Sequence, residues 1–376
     1  MHILIAPNSF KNSLPAGKAA EAIDKGLRES NLTCTTAVFP IGDGGDGTGR
    51  LLIQHLQGKT IDKEVHDPIG RMIKSSFGFI GNTQTAIIEL ADASGLRLLQ
   101  KNEYDPLHAT TFGTGELISE ALDMKAKRII LCIGGSATID AGTGILQALG
   151  IKFSTPGGNE LKQLPVSLKD LANIDTSSLD KRLQNTELII LCDVKNYLLG
   201  KEGAAAVFGP QKGATKKNVQ QLEESLTQFR NIALQKTGKD MSLIKHGGAA
   251  GGVSAGLNAF LNARLVNGIE FFLDITGFNR ALEGIDIVIT GEGSIDDQTL
   301  HGKGPYGVAI RAKQRSIPVI GMAGSIKQNK NLQEYFDQLI AINVETDIEM
   351  SMKNTYNNLF HAAKSLGDTL SAKFIS

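Results

Sequence analysis

Thr35-Thr36-Ala37-Val38-Phe39-Pro40-Ile41 runs into Gly42-Asp43-Gly44-Gly45-Asp46-Gly47-Thr48, and a helical stretch through Leu51, Leu52 and Leu56 follows. An apolar run, a glycine turn and a helical period, in that order, make one strand–loop–helix step of an open α/β sheet. The chain also begins with such a step. Ile3 to Ala6 is apolar and ends at Pro7, Asn8-Ser9-Phe10-Lys11-Asn12-Ser13 is a loop, and Pro15 stands where a first helical turn tolerates proline. Ala16, Ala19, Ile23 and Leu27 then recur at helical spacing. The two steps predict a βαβ unit with parallel strands and a right-handed crossover.

The pattern returns after Gly268, with short apolar strands expected at 285–290, 318–322 and 338–343 and a helix at 307–315. The middle reads differently. Residues 61–80 alternate around a turn at Asp67-Pro68-Ile69-Gly70, and 85–90, 128–133 and 187–192 read as strands. Residues 114–123 and 217–236 read as helices, the second with Val219, Leu222, Leu226, Phe229 and Ala233 on a core-facing stripe. The expected fold is α/β with two domains. Residues 1–62 and 265–376 form a discontinuous, doubly wound parallel-sheet (Rossmann/flavodoxin-like) domain, and 63–264 form an inserted second α/β domain.

Parallel strands put their following loops on one edge. Ser9 and Lys11, then Asp43 and Asp46, then Glu292 and Asp296 are therefore expected to converge on a crevice that faces the inserted domain. Further glycine loops stand at Gly134-Gly135-Ser136-Ala137-Thr138, which precedes an expected helix at Gly142-Thr143-Gly144-Ile145-Leu146, at Thr110-Thr111-Phe112-Gly113-Thr114-Gly115, and at Gly209-Pro210-Gln211-Lys212-Gly213. Glycine and hydroxyl residues at a helix entrance suit an anion, although a turn that needs glycine for geometry alone has the same sequence. Lys212, and Lys303 in His301-Gly302-Lys303-Gly304, read either as surface lysines or as charges that neutralise a transferring phosphate.

Gly42-x-Gly44-x-x-Gly47 matches the dinucleotide fingerprint formally. Asp43 and Asp46 inside the turn would repel a pyrophosphate unless a cation intervened. Carboxylates that bind substrate hydroxyls or Mg²⁺, and a plain turn capped by Asp46 or Thr48, are the competing readings. No G-x-x-x-x-G-K-[ST] occurs, the protein-kinase motif set is missing, Ser9, Ser136 and Ser294 lack the G-x-S-x-G context of an elbow nucleophile, and no H-x-x-x-H suggests zinc.

The 376 residues are 41% hydrophobic and 21% charged, with 39 basic and 39 acidic side chains. A formal net charge of zero argues against a nucleic-acid partner or an anionic membrane surface. Three cysteines without metal spacing predict a reduced, cytoplasmic setting. No apolar run reaches the ~18 residues of a membrane span. The start of the chain reads as a strand rather than a signal peptide.

Asn8-Ser9-Phe10-Lys11, 42–48, 109–115, 134–140, 209–215, 249–252 and 291–303 together resemble, in order and over essentially the whole chain, the type I glycerate kinase family. The resemblance implies phosphorylation of D-glycerate by ATP with Mg²⁺, usually to 2-phosphoglycerate, in a cleft between two α/β domains. It implies site positions at Ser9, Lys11, Asp43, Asp46, Asp193, Glu292, Asp296 and Lys303. Asp296 or Asp193 would orient or deprotonate the hydroxyl, Asp43 would hold Mg²⁺, and Lys11, Lys212 and Lys303 would offset anionic charge. Gly134, Gly135, Ser136 and Thr138 remain the phosphate-loop candidates. The chain departs from the family pattern at Asn8 (usually Asp), Ile139 (usually Asn), Ala141 (usually Gly), Lys195, Tyr197, Asp46 (commonly Glu) and Asp92 (usually small and apolar). These departures keep a second reading open, a sugar-acid or nucleotide-binding protein of altered or lost activity.

Overall fold

The computed structural model describes the chain except residues 298, 328–329, 344–347 and 376 and the side chains of 301, 348 and 373–375. Its strands are β1 (His2–Ile5), β2 (Thr35–Val38), β3 (Lys59–His66), β4 (Met72–Ile80), β5 (Thr85–Glu89), β6 (Arg128–Cys132), β7 (Lys152–Ser154), β8 (Asn173–Asp175), β9 (Glu187–Cys192), β10 (Arg264–Asn267), β11 (Ile287–Ile295), β12 (Val319–Ile326) and β13 (Gln338–Ala341). The chain divides into two compact units, Met1–Asp43 with Asn267–Ser376, and Gly44–Val266.

The first unit is a five-stranded sheet of order β2-β1-β11-β12-β13, all parallel. Counted within the unit this is 2-1-3-4-5, the doubly wound order whose switch point lies between the first and third strands, here β1 and β11. Ile3, Leu4 and Ile5 are fully enclosed, as expected of a parallel strand covered on both faces. The helix Ala16–Arg28 buries Ala19, Ala20, Ile23 and Leu27, and joins Leu359, Ala363 and Leu366 of the C-terminal helix Thr355–Ile375 in one core. Gly26 lets the two helices touch: a Cβ there would stand 2.3 Å from the Phe360 carbonyl oxygen.

The expected loop at 291–296 is corrected. β11 continues through Gly291 to Ile295, with Gly291 paired to Met322 and Glu292 to Ala323. A Cβ at 291 would lie 2.2 Å from the Met322 carbonyl oxygen, so glycine here permits close strand pairing rather than a turn.

The second unit has a six-stranded sheet of order β10-β9-β6-β5-β4-β3 and a β7–β8 ribbon. β5, β6 and β9 are parallel and almost wholly buried, whereas β3, β4 and β5 are antiparallel and β3 is largely exposed. Asp67 shapes the β3–β4 turn by accepting from the Ile69 and Arg71 amides. The helix Lys216–Thr237 starts in a Thr215–Asn218 capping box, ends at left-handed Gly238, and buries Leu222, Leu226, Phe229 and Ala233.

The boundary between the units falls after Asp43, not after residue 62 as expected. The reason is packing: Ile53 of the helix Thr48–His55 fills the space above Gly78 of β4, where a Cβ would be 2.2 Å from Ile53 Cγ1, and Gly49 abuts Glu89 of β5. Residues 44–62 thus share their core with the inserted segment. The other boundary lies at 266/267 rather than 264/265.

Gly26→Ala tests the helix contact in the first unit. Alanine is worth ~1 kcal/mol over glycine in a helix, but a backbone oxygen cannot yield as a side chain can, and overpacking costs ~1–3 kcal/mol. Denaturant unfolding is expected to show a net loss of about 1–2 kcal/mol, and a gain would mean the two helices are not held at this separation.

Candidate active site

In the first unit the switch point gathers polar side chains. Beyond β1, the Asn8 amide N–H donates to the Gly291 carbonyl at 2.8 Å. Asn8 Nδ2 donates to Asp43 Oδ2 at 2.8 Å, and the Ser9 amide donates to Asn8 Oδ1 at 2.8 Å. Gly304 leaves the Asn8 side chain its place, since a Cβ there would be 2.8 Å from Nδ2. Lys303 is the N-cap of the helix Gly304–Lys313.

Glu292, on β11, is 5% exposed. Thr299 Oγ1 donates to its Oε1 at 3.1 Å and accepts from the Asp296 amide at 3.1 Å. Burial pushes the Glu292 carboxyl up to about 7; Asp43 and the loss of water raise it, while Lys303, Thr299 and Lys11 pull it down. The expected residues Ser9, Lys11, Asp43, Glu292, Asp296 and Lys303 thus meet within one unit. Lys11 is exposed and Lys303 half-buried. Gln298, inside the 291–303 motif, and the His301 side chain lie outside the described residues.

The second unit assembles the other candidates at the carboxyl ends of β5, β6 and β9. Gly134 stacks on the backbone of Gly45–Asp46, where a Cβ would come within 2.4 Å of the Asp46 nitrogen. Gly135 has φ +72. The Leu96 amide donates to the Gly135 carbonyl and the Ala137 amide to the Ser94 carbonyl, both at 2.9 Å, which pins the loop on either side of Ser136. Asp46 and Asp193 are exposed. Asp193 directly follows β9 and belongs to this unit, not to the one that holds Asp296.

Two buried acids close the helix entrances that the sequence offers as anion sites. Glu89 accepts from the amides of Gly47 (2.9 Å), Gly49 (2.5 Å) and Arg50 (3.3 Å) at the start of the helix Thr48–His55. Neither Asp46 nor Thr48 caps that helix from its N-cap position; Gly47 stands there, and Thr48 Oγ1 accepts from the Gly44 amide. A pyrophosphate on Gly42-x-Gly44-x-x-Gly47 would compete with this carboxylate for the same amides. Asp140 accepts from the Thr111 amide (2.9 Å), Thr111 Oγ1 (2.7 Å), the Gly142 amide (3.0 Å) and the Gly144 amide (3.2 Å). It fills the entrances of both Phe112–Asp123 and Thr143–Ala148. Burial raises both acids, and the amide donors oppose the shift. Neither role was read from the sequence. The one signal for Glu89 was an acid closing the buried run Ala86-Ile87-Ile88.

The surface reading of Lys212 is corrected: it is 2% exposed, and its ammonium donates to Ser136 Oγ at 2.6 Å and to the Thr138 carbonyl at 2.7 Å. Burial pushes it down to about 7, with Asp140 holding it up.

A sequence profile described as "Glycerate kinase family" matches residues 3–371. This chain belongs to the glycerate kinase family. It is 45% identical to the glycerate kinase of Halalkalibacterium halodurans over 87% of this chain and 86% of that one. It is 40% identical to the glycerate 2-kinase of Escherichia coli over 98% of both. A solved structure from Salmonella typhimurium LT2, assigned as a glycerate kinase 2, superposes over the full length of both chains with a TM-score of 0.85 at 41% identity. Membership makes the chain a phosphotransferase with ATP as co-substrate.

The departures from the family pattern now have surroundings. Asn8 is satisfied on both sides by Ser9 and Asp43. Asp92 is ion-paired with Arg50 (3.4 Å) and with Arg97, which also lies 4.0 Å from Asp46. Ile139 is fully enclosed in the core, and Lys195 and Tyr197 are exposed. Ala141 has φ +49, a left-handed conformation that suits glycine, and its amide donates to the Gly251 carbonyl at 2.9 Å. Holding an L-residue there costs ~1–2 kcal/mol, against ~0.5–1 kcal/mol for the extra unfolded-state freedom of glycine. Ala141→Gly is therefore expected to raise stability by about 0.5–1 kcal/mol in denaturant titration; a fall would show that the methyl group contributes packing worth more than the strain.

Proposed function

We propose that this enzyme transfers the γ-phosphoryl group of ATP to a hydroxyl of D-glycerate, giving 2-phosphoglycerate, in the cytoplasm. The observation that carries the reading is the buried Glu292, beside Thr299 and within the fields of Lys303, Asp43 and Lys11, at the switch point of a doubly wound sheet. A carboxyl held near neutrality suits a general base. Unbridged cysteines fit the compartment, and among the described residues no helix is long and apolar enough to cross a membrane.

In the proposed step Glu292 takes the glycerate hydroxyl proton as that oxygen attacks the γ-phosphorus. The bond from phosphorus to the β,γ-bridging oxygen breaks, and its electron pair leaves on ADP. Lys11 and Lys303 offset charge on the transferring group or on the glycerate carboxylate, and Ser9 donates to substrate. Such a reaction depends chiefly on positioning and charge stabilisation. Asp296, tied to Thr299 through its amide, is the alternative base and otherwise orients the hydroxyl. In the second unit Gly134, Gly135, Ser136 and Thr138 bind anionic oxygens, and Asp46 and Asp193 contact substrate or its hydrated ion.

The donor set fits Mg²⁺. Asp43 and Glu292 are hard oxygen donors close enough for one to raise the other's proton affinity. Among the described residues no group of three or more His, Cys, Asp and Glu forms a protein cage, and Mg²⁺ characteristically takes one or two carboxylates with phosphate oxygens and water. Bound there with Asp43 as the protein ligand, it would supply charge neutralisation on the phosphate chain.

The deciding assay measures ADP release from ATP and Mg²⁺ with D-glycerate, L-glycerate or no acceptor, with the product identified by phosphorus NMR. Turnover is expected with D-glycerate alone, with kcat rising with pH as Glu292 loses its proton, at a pH below about 7 because a bound divalent cation favours the carboxylate. Glu292→Gln should lower kcat by ~10² or more and abolish that rise, whereas Asp296→Asn keeps it. Loss of the rise in Asp296→Asn alone would move the base to Asp296. Nucleotide binding without turnover would support the non-catalytic reading instead.

Asp43→Asn should raise the Mg²⁺ concentration needed for half-maximal rate by ~10-fold, the loss of one charge-assisted contact of ~1.5–3 kcal/mol at its lower end. An unchanged Mg²⁺ dependence would remove Asp43 from the metal.

A further inference from the structure

Lys212 stands on the helical turn Pro210–Lys212, between Gly209 and left-handed Gly213. Gly213 is pressed against the Tyr104 carbonyl oxygen, 2.5 Å from where its Cβ would be, so the turn that delivers the lysine is fixed. Among the described residues Lys212 makes no ion pair within 4.0 Å. Its ammonium is buried against two uncharged oxygens, with Asp140 acting only through its field. Burying a cation without a partnered anion is costly, and a lysine that served packing alone would be replaceable by an apolar side chain.

The chemistry of the contact gives a use. An ammonium has three donors and no acceptor. In its charged form Lys212 can only donate, so Ser136 Oγ accepts from it and turns its own O–H elsewhere. Two further features point to a ligand: Ser136 sits in a loop pinned at Gly135 and Ala137, and the fully buried hydroxyl of Thr138 has no hydrogen-bond partner. A buried hydroxyl without a partner forfeits on the order of 1–3 kcal/mol unless something supplies one.

We propose that Lys212 is a positioning residue that never touches the ligand: it holds Ser136 Oγ as an acceptor, so that the Ser136 hydroxyl is presented as a donor to an anionic oxygen bound at the 134–138 loop. The inference rests on the kinase reading for its ligands, since the oxygen belongs either to the nucleotide phosphates or to the carboxylate of the acid substrate. An anion docked there also stabilises the charged form of the lysine behind it, so ligand and ammonium reinforce each other.

The experiment is a double-mutant cycle on the full chain with Ser136→Ala, Lys212→Met and the pair. KM for ATP, KM for D-glycerate, kcat, the calorimetric Kd of ATP and of D-glycerate taken separately, and the ligand-free thermal midpoint are read for each. Ser136→Ala is expected to weaken one ligand by ~10-fold or more, in line with a hydrogen bond to a charged group. Whether ATP or D-glycerate is affected identifies the source of the oxygen. Lys212→Met should weaken the same ligand, and the pair should be no worse than Lys212→Met alone, because the second change removes a donor already misdirected. Unchanged affinities in Ser136→Ala overturn the proposal even if Lys212→Met fails to fold. Effects that multiply in the pair overturn it too, as does a Lys212→Met protein with a lower thermal midpoint and wild-type affinities. Wild-type enzyme that binds ATP but does not phosphorylate D-glycerate refutes the kinase reading and leaves the cycle to be decided by calorimetry.

Discussion

One buried carboxylate, Asp140, sets the constraint on which the inserted unit depends. It accepts four hydrogen bonds, two from Thr111 and two from the amides of Gly142 and Gly144, and so locks two helix entrances to each other and to the loop that follows β6. A charged group with no exposure is tolerable only because donors replace water on every side. The arrangement dictates residues around it. Gly144 is glycine because a Cβ would lie 2.2 Å from Thr110 Oγ1, and Gly251 because a Cβ would lie 2.1 Å from the Thr138 carbonyl oxygen. The left-handed run Ala250-Gly251-Gly252 packs on the 138–141 segment as a consequence. Glu89 repeats the device at the helix Thr48–His55.

This device changes what the glycine loops mean. A strand, a glycine turn and a helix form an anion site when the first helical amides face outward. Here those amides are consumed by the protein's own acids at three entrances. On the proposed reading, what remains for a ligand is the loop itself and its side chain Ser136. In the first unit the same economy holds by different means: Asn8, uncharged, accepts from Ser9 and donates to Asp43, which fixes one oxygen of that carboxylate without adding a negative charge beside Glu292.

The sequence carried the sheet arrangement well because parallel strands are buried on both faces and read as unbroken apolar runs. β5, β6 and β9 lie where the runs 85–90, 128–133 and 187–192 stand, and the strand-loop-helix order at both ends of the chain fits the 2-1-3-4-5 sheet. Glycine was the ambiguous letter. In 134–138 it marks a turn, whereas in 291–293 it marks a strand pressed against its neighbour, and only the partner strand distinguishes the two. Burial of charge was the other illegible quantity. Nothing local to Gly209-Pro210-Gln211-Lys212-Gly213 says that the lysine points inward, because the groups that receive it lie more than seventy residues away, at Ser136 and Thr138. Glu89 hid for the same reason, its partners being amides near residue 48.

Glu292 in the first unit and Lys212 in the second are displaced in opposite directions toward the same value, Glu292 up to about 7 and Lys212 down to about 7. Desolvation is the leading cause in both, and it favours the neutral form of each. The charge that a ligand brings decides the outcome. Cations near Glu292 restore its carboxylate, and Lys11, Lys303 and a divalent ion would all act in that sense. An anionic oxygen near Ser136 restores the ammonium of Lys212. On the proposed reading, a chain with no net charge would bind strongly anionic small molecules without a basic surface that attracts polyanions indiscriminately, because ligand and buried group would favour each other's charge locally.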